Sequence, residues 1–167
     1  MAEFVYALEL RHPTFKTPEV VSADFDPASI FVSGVPFWQE QLFYTEASGV
    51  MPWKDNREQA CRHLNKNMNV LLDEIYASLE KKEKPSSSTV RDALGIFISV
   101  LFWSNGRPVQ LMDLWDQIET LVIQPLNLAE RLAYVLERGD TFLGYSQLKE
   151  LMLEQRKLIV KEHNKDV

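Results

Sequence analysis

Cysteine is nearly absent. The 167-residue chain has one, Cys61. No intrachain disulfide and no cysteine-rich zinc site can form, which fits a reducing, cytoplasmic setting. Histidine is scarce as well. His12, His63 and His163 are scattered, and no His-Glu-x-x-His pattern occurs, so no metal is expected. The six glycines, at 34, 49, 95, 106, 139 and 144, are all isolated. That excludes a glycine-rich phosphate loop, and the serines lack a Gly-x-Ser-x-Gly context. Long apolar runs are missing too. The longest, from Ala93 to Trp103, is eleven residues, whereas a bilayer crossing takes about 20. The first residues carry Glu3 and Glu9 and no basic cluster, so no secretory leader is expected.

Basic charge is also in short supply. Eighteen Lys and Arg face 24 Asp and Glu, for a net charge of −6. Residues 1–54 hold 3 bases and 7 acids, and residues 85–124 hold 2 and 4. Nucleic-acid binding wants clustered cations, so it is a poor reading. Arg57, Arg62, His63 and Lys66 form the best local exception, and they also read as a solvated helix face. Cys61 lies beside Arg57 and Arg62, and cationic neighbours lower a thiol pKa. No pattern supplies a base for it, and a small core filler is the simpler reading. The carboxylate pairs Asp113/Asp116 and Glu150/Glu154 stand at helical spacing on polar faces, as in any solvated bundle. No catalytic residue and no cofactor are expected.

What is present is helical periodicity. Residues 1–34, with Pro13, Pro18 and Pro27, read as an irregular, extended N-terminal arm. Packing of its aromatics onto a helical body competes with a mobile arm. Residues 35–163 read as a single all-α domain, an irregular bundle of about six helices. The first helix opens at Pro36 and carries Trp38 and Leu42 on one face. The second opens at Asp55, with Glu58 completing a capping box. Its stripe of Ala60, Leu64, Met68, Leu71, Leu72, Ile75 and Leu79 keeps a 3.6 period. The third, about 89–104, is apolar nearly all round and is the expected central helix; Gly95 inside it suggests close approach of a neighbouring helix. The fourth is expected from Pro108, with Leu111, Leu114, Trp115, Ile118, Leu121 and Val122 inward. The fifth follows Pro125 and ends at Gly139, and the sixth runs over about 145–162.

The aromatic segment is the most unusual feature. Phe37, Trp38, Phe43, Tyr44 and Trp53 fall within seventeen residues, with Glu40 and Glu46 among them. One short helix cannot bury so many rings on one face, so some are expected at the surface, where Trp and Tyr anchor interfaces. The arm covering them is the competing reading.

Four stretches resemble the YpoC-like proteins of Bacillus-type bacteria. They are Val35-Pro-Phe-Trp-Gln-Glu-Gln-Leu-Phe-Tyr, Met51-Pro-Trp, Leu101-Phe-Trp-Ser-Asn-Gly-Arg-Pro and Gln124-Pro-Leu-Asn-Leu-Ala-Glu-Arg-Leu. The resemblance spans roughly residues 30–155. It implies a small α-helical cytosolic domain and supplies no catalytic residue. The expected function is a non-enzymatic protein–protein interaction module with an unidentified protein partner. Trp38, Tyr44 and Trp53 are its expected anchors, and Arg107 and Arg131 its polar contacts. Alternatives are a small-molecule or lipid-binding bundle lined by Met68, Phe97, Trp103 and Trp115, and a nucleic-acid-associated protein using Arg57, Arg62 and Lys66. A homo-oligomer stays open.

Overall fold

Residues 93–103 would be apolar nearly all round a helix, so a helix there can be stable only with protein on every side. The computed structural model, which describes residues 3–15 and 18–165, places this helix, Ser87–Trp103, at the centre. From Ala93 to Trp103 every residue is buried. Around it lie α1 (Trp38–Tyr44), α2 (Arg57–Glu80), α4 (Leu114–Glu119), α5 (Leu128–Arg138) and α6 (Phe142–Lys165), the central helix being α3. The described residues thus form an all-α bundle of six helices preceded by an extended arm. The arm adds a small antiparallel sheet of β1 (Glu3–Val5) and β2 (Val20–Ser22), with Phe4 opposite Val21.

The stripe of α2 holds as its period requires: Leu64, Met68, Leu72 and Ile75 are buried. The long helices α2 and α6 run antiparallel. Glu58, near the start of α2, approaches His163 near the end of α6. Tyr76 and Tyr145, at their opposite ends, stand 5.7 Å apart between ring centroids. The hairpin of α5 and α6 is closed by an ion pair of 2.5 Å between Arg131 and Glu154.

The arm is packed. Tyr6, Leu10, Phe15 and Val21 join the same buried cluster as α3. Phe15 meets Phe37 edge-on at 5.1 Å, and Leu111 N–H donates to the Glu9 carbonyl at 2.7 Å. Expectations for Met1, Ala2, Lys16 and Thr17 lie outside the described residues.

Three local expectations are corrected. The fourth helix does not open at Pro108, because the amides that would start it are taken elsewhere: Val109 N–H by Glu40 and Leu111 N–H by Glu9. Residues 108–113 are therefore non-helical. On the short helix that remains, Leu114 and Ile118 face inward, while Trp115 is 41% exposed and Val122 beyond it 86% exposed. The capping box at Asp55 and Glu58 is absent. Asn56 caps α2 in a left-handed conformation with φ 52° and no side-chain bond, and Glu58 turns to Arg62. Gly95, finally, faces the arm and the residues leading into α1 rather than another long helix. A methyl added there would touch Phe15 at 3.7 Å and Pro36 at 3.8 Å, both at ordinary contact distance.

Two glycines therefore predict opposite outcomes. Gly95→Ala removes unfolded-state freedom at no steric cost and is expected to raise stability by about 0.5–1 kcal/mol. At Gly144, in the first turn of α6, an added Cβ would overlap the Arg138 carbonyl oxygen. Gly144→Ala must push α5 and α6 apart and is expected to cost about 1–3 kcal/mol. Urea unfolding of both variants checks the signs.

Candidate functional site

The expected anchors are mostly not at the surface. Trp38 is 2% and Trp53 4% exposed, so their assignment as interface anchors is corrected. The reason is the arm. Phe4 stacks on Trp38 at 6.0 Å, Phe25 meets it edge-on at 5.6 Å, and the indole N–H donates to the Asp26 carbonyl at 2.9 Å. Trp53 leans on Trp103 and is capped by Phe43. Tyr44 is half-buried and donates its hydroxyl to the Val109 carbonyl at 2.8 Å.

Both arginines are likewise spent inside the molecule. Arg107 bonds Thr120 at 2.7 Å and Gln117, and lies over the Phe102 ring. Arg131 bonds the Leu126 carbonyl and pairs with Glu154. The five residues are not brought together into a site.

Gln39, Glu40 and Gln41 are buried, although three polar residues in a row read as surface. Successive helix positions point about 100° apart, so each reaches a different segment. Gln39 donates to the Pro27 and Ser29 carbonyls and accepts from Val50 N–H. Gln41 accepts from Ala7 N–H at 3.1 Å. Glu40 Oε2 accepts from Trp103 Nε1 at 2.5 Å and from Val109 N–H at 3.0 Å, leaving Oε1 unpaired. Burial pushes the Glu40 carboxyl up to about 7, against the opposing pull of those two donors. This cluster is sealed from solvent and ties α1 to the arm, α3 and residues 108–113.

An internal ligand site lined by Met68, Phe97, Trp103 and Trp115 is not found. Met68, Phe97 and Trp103 are close-packed core, and the internal void that Trp103 borders is only about 20 Å³.

An open groove lies between α2 and α6. A trough of about 540 Å³ is floored by Val100 of α3 and Cys61 of α2, with Leu153, Ile159 and Val160 of α6. Its rim carries Arg62, Arg156, Lys157 and His163 against the one carboxylate of Glu58. It continues past Glu58 into a more polar basin of about 500 Å³ that adds Lys54, Arg57 and Glu162. Glu58 stands between them, accepting from Arg62 Nη1 at 2.9 Å and lying 3.9 Å from His163 Nδ1. The side chains of Arg62, Glu58 and His163 are all more than half exposed, so these pairs are weak and exchangeable.

The cations flagged at the start of α2 are divided by the fold. Arg57 and Arg62 line this trough and basin, whereas His63 turns to a separate groove beside Val50 and Met51. Arg156 and Lys157 join from α6, ninety-odd residues away. No sequence spacing announces that union; it follows from the antiparallel pairing of α2 and α6. Cys61 is no nucleophile at the floor. Burial pushes its thiol up to about 11, and Arg57 only partly offsets this. Among the described residues, no group of three His, Cys, Asp or Glu stands close enough to hold a metal ion. No helix among them is long and apolar enough to cross a membrane.

Comparison with known proteins gives a family. The Uncharacterized protein YpoC of Bacillus subtilis (strain 168) is 28% identical over 131 residues, which cover 72% of this chain and 74% of that protein. No solved structure matches. The family model for YpoC-like proteins matches residues 58–166, a span that leaves out the motifs at 35–44 and 51–53 and contains every residue lining the trough. The chain belongs to the YpoC-like protein family.

Proposed function

We propose that this protein is a non-enzymatic interaction module, cytoplasmic in setting, that receives an acidic amphipathic segment of a protein partner in the trough between α2 and α6. One observation carries the reading: an apolar floor with a cationic rim on a chain of net charge −6. Local charge opposite to the global charge favours an anionic occupant and speeds its encounter. The apolar floor favours one with apolar side chains on the same face. The trough is open along its length and bounded by two long helices, which suits a helix laid in a groove better than a lipid tail that needs enclosure. The exposed rim pairs around Glu58 can be exchanged for a partner's carboxylates at small cost.

The test uses a fluorescent synthetic helix with Leu at i, i+3, i+4 and i+7 and Glu elsewhere, read by anisotropy. The same helix with Lys in place of Glu, and a 20-base single-stranded DNA, serve as comparisons. The Glu helix is expected to bind, and the double variant Arg156→Glu, Lys157→Glu to weaken it about tenfold or more. Both substitutions are at exposed positions, so the melting curve should not move. Equal binding of Glu and Lys helices, preference for DNA, or an unaffected double variant would each reject the reading.

A further inference from the structure

We propose that a second copy of this chain supplies the occupant: the acidic, apolar face around α4 of one molecule docks in the α2–α6 trough of another. The proposal rests on the reading of the trough given above and names its partner. From Pro108 to Glu130 the chain carries four carboxylates and no Lys or Arg. The fold turns much of that stretch outward. Asp113, Asp116 and Glu119 are exposed, and Met112, Trp115 and Val122 stand exposed beside them. Trp115 and Glu119 are four apart on α4, hence on one face. The opposite face, Leu114 and Ile118, is buried, and Arg107 pins the helix through Gln117 and Thr120. The outward Trp115 is therefore held on a fixed helix, the arrangement of an interface anchor.

The two surfaces are complementary in kind. One offers an indole and aliphatic side chains among carboxylates; the other offers Leu153 and Val160 among Arg62, Arg156 and Lys157. Residues 108–122 contribute nothing to the trough lining, so both surfaces stay free in a single molecule. Because they are different surfaces, a single contact is head-to-tail and leaves one of each unpaired, to be met by a further copy or reciprocally within a two-fold pair. A trough of this size makes an interface at the small, weak end, so association is read through its concentration dependence.

Sedimentation equilibrium tests this with two variants. The first, Arg156→Glu with Lys157→Glu, breaks the trough and keeps the α4 face. The second, Trp115→Ala with Asp116→Lys, breaks the α4 face and keeps the trough; Asp116→Lys alone serves if that pair melts early. The wild type is expected to rise above its monomer mass of 19.4 kDa as concentration is raised to about 1 mM. Each variant alone should remain at the monomer mass. Mixed, they should pair once and stop at a heterodimer, because only one intact contact remains between them. A monomeric wild type, variants that associate as the wild type does, or a mixture that stays monomeric would overturn the proposal. If the wild type stays monomeric yet binds the Glu helix, self-docking alone fails; if it does neither, the trough reading fails with it.

Discussion

Raising the pH from 4 to 8 is expected to destabilise this protein, and Glu40→Gln is expected to abolish most of the effect. The Glu40 carboxyl is fully buried and its pKa is pushed from 4.5 up to about 7. Between those values the folded state holds a proton that the unfolded state has released. Stability is therefore fully present below about 4.5, falls as pH rises, and has lost its full share above about 7. The linkage amounts to about 3 kcal/mol, a large part of the 5–15 kcal/mol typical of a domain. Gln keeps an oxygen to accept from Trp103 and Val109, and places an amide where Oε1 has no partner. Urea unfolding at pH 4.5, 6 and 8 reads the slope. The wild type should lose stability across the series and the Gln variant should stay nearly flat. A wild type whose stability follows the same pH slope as the Gln variant would show that Glu40 does not titrate between these values.

Trp38→Ala and Trp53→Ala are each expected to cost about 3–5 kcal/mol. Each deletes a large ring from a packed interior, and neither site can collapse easily. Around Trp38 the cavity would be walled by Phe4 and Phe25 of the arm, and the Asp26 carbonyl would lose its donor. Around Trp53 the walls are Phe43 and Trp103. Denaturant midpoints should fall for both variants, and near-ultraviolet circular dichroism should weaken. If either variant melts as the wild type does, that ring is not bearing core packing and regains its candidacy as a surface anchor. Trp115→Ala is the internal contrast, since its ring is already partly in solvent and its loss should leave the midpoint nearly unchanged.

The contrast between Trp38 and Trp115 marks what periodicity carries. The eleven-residue apolar run gives the central helix directly, because only a position surrounded by protein tolerates it. The stripe of α2 is equally legible, since a 3.6 period has one geometric meaning. The burial of Trp38 is not legible in the same way, because its cover comes from Phe4 and Phe25, in an arm with no period at all. Glu40 misleads for the opposite reason: a carboxylate in an amphipathic segment reads as solvent-facing, and its burial depends on Trp103, sixty-three positions away. Trp115 turns outward because Pro108, which reads as a helix start, is followed by amides that Glu9 and Glu40 hold. The α2 side of the trough and its adjoining basin is legible as the cations Arg62 and Arg57. The other side sits on α6, and no local signal links the two.

The hydrogen bond from Leu111 to Glu9 spans about a hundred residues of chain, and it orders events in time. The arm leaves the ribosome before the groups that hold it, in α1, α3 and residues 108–113. Until these emerge, Tyr6, Phe15 and Val21 have nothing to cover them. Contacts this distant in sequence slow folding, and an uncovered aromatic segment is open to mispairing while the chain grows. The helical core from α2 to α3 can close by local contacts while synthesis continues. The arm, by contrast, needs partners far along the chain, so its docking is expected to follow the closure of that core.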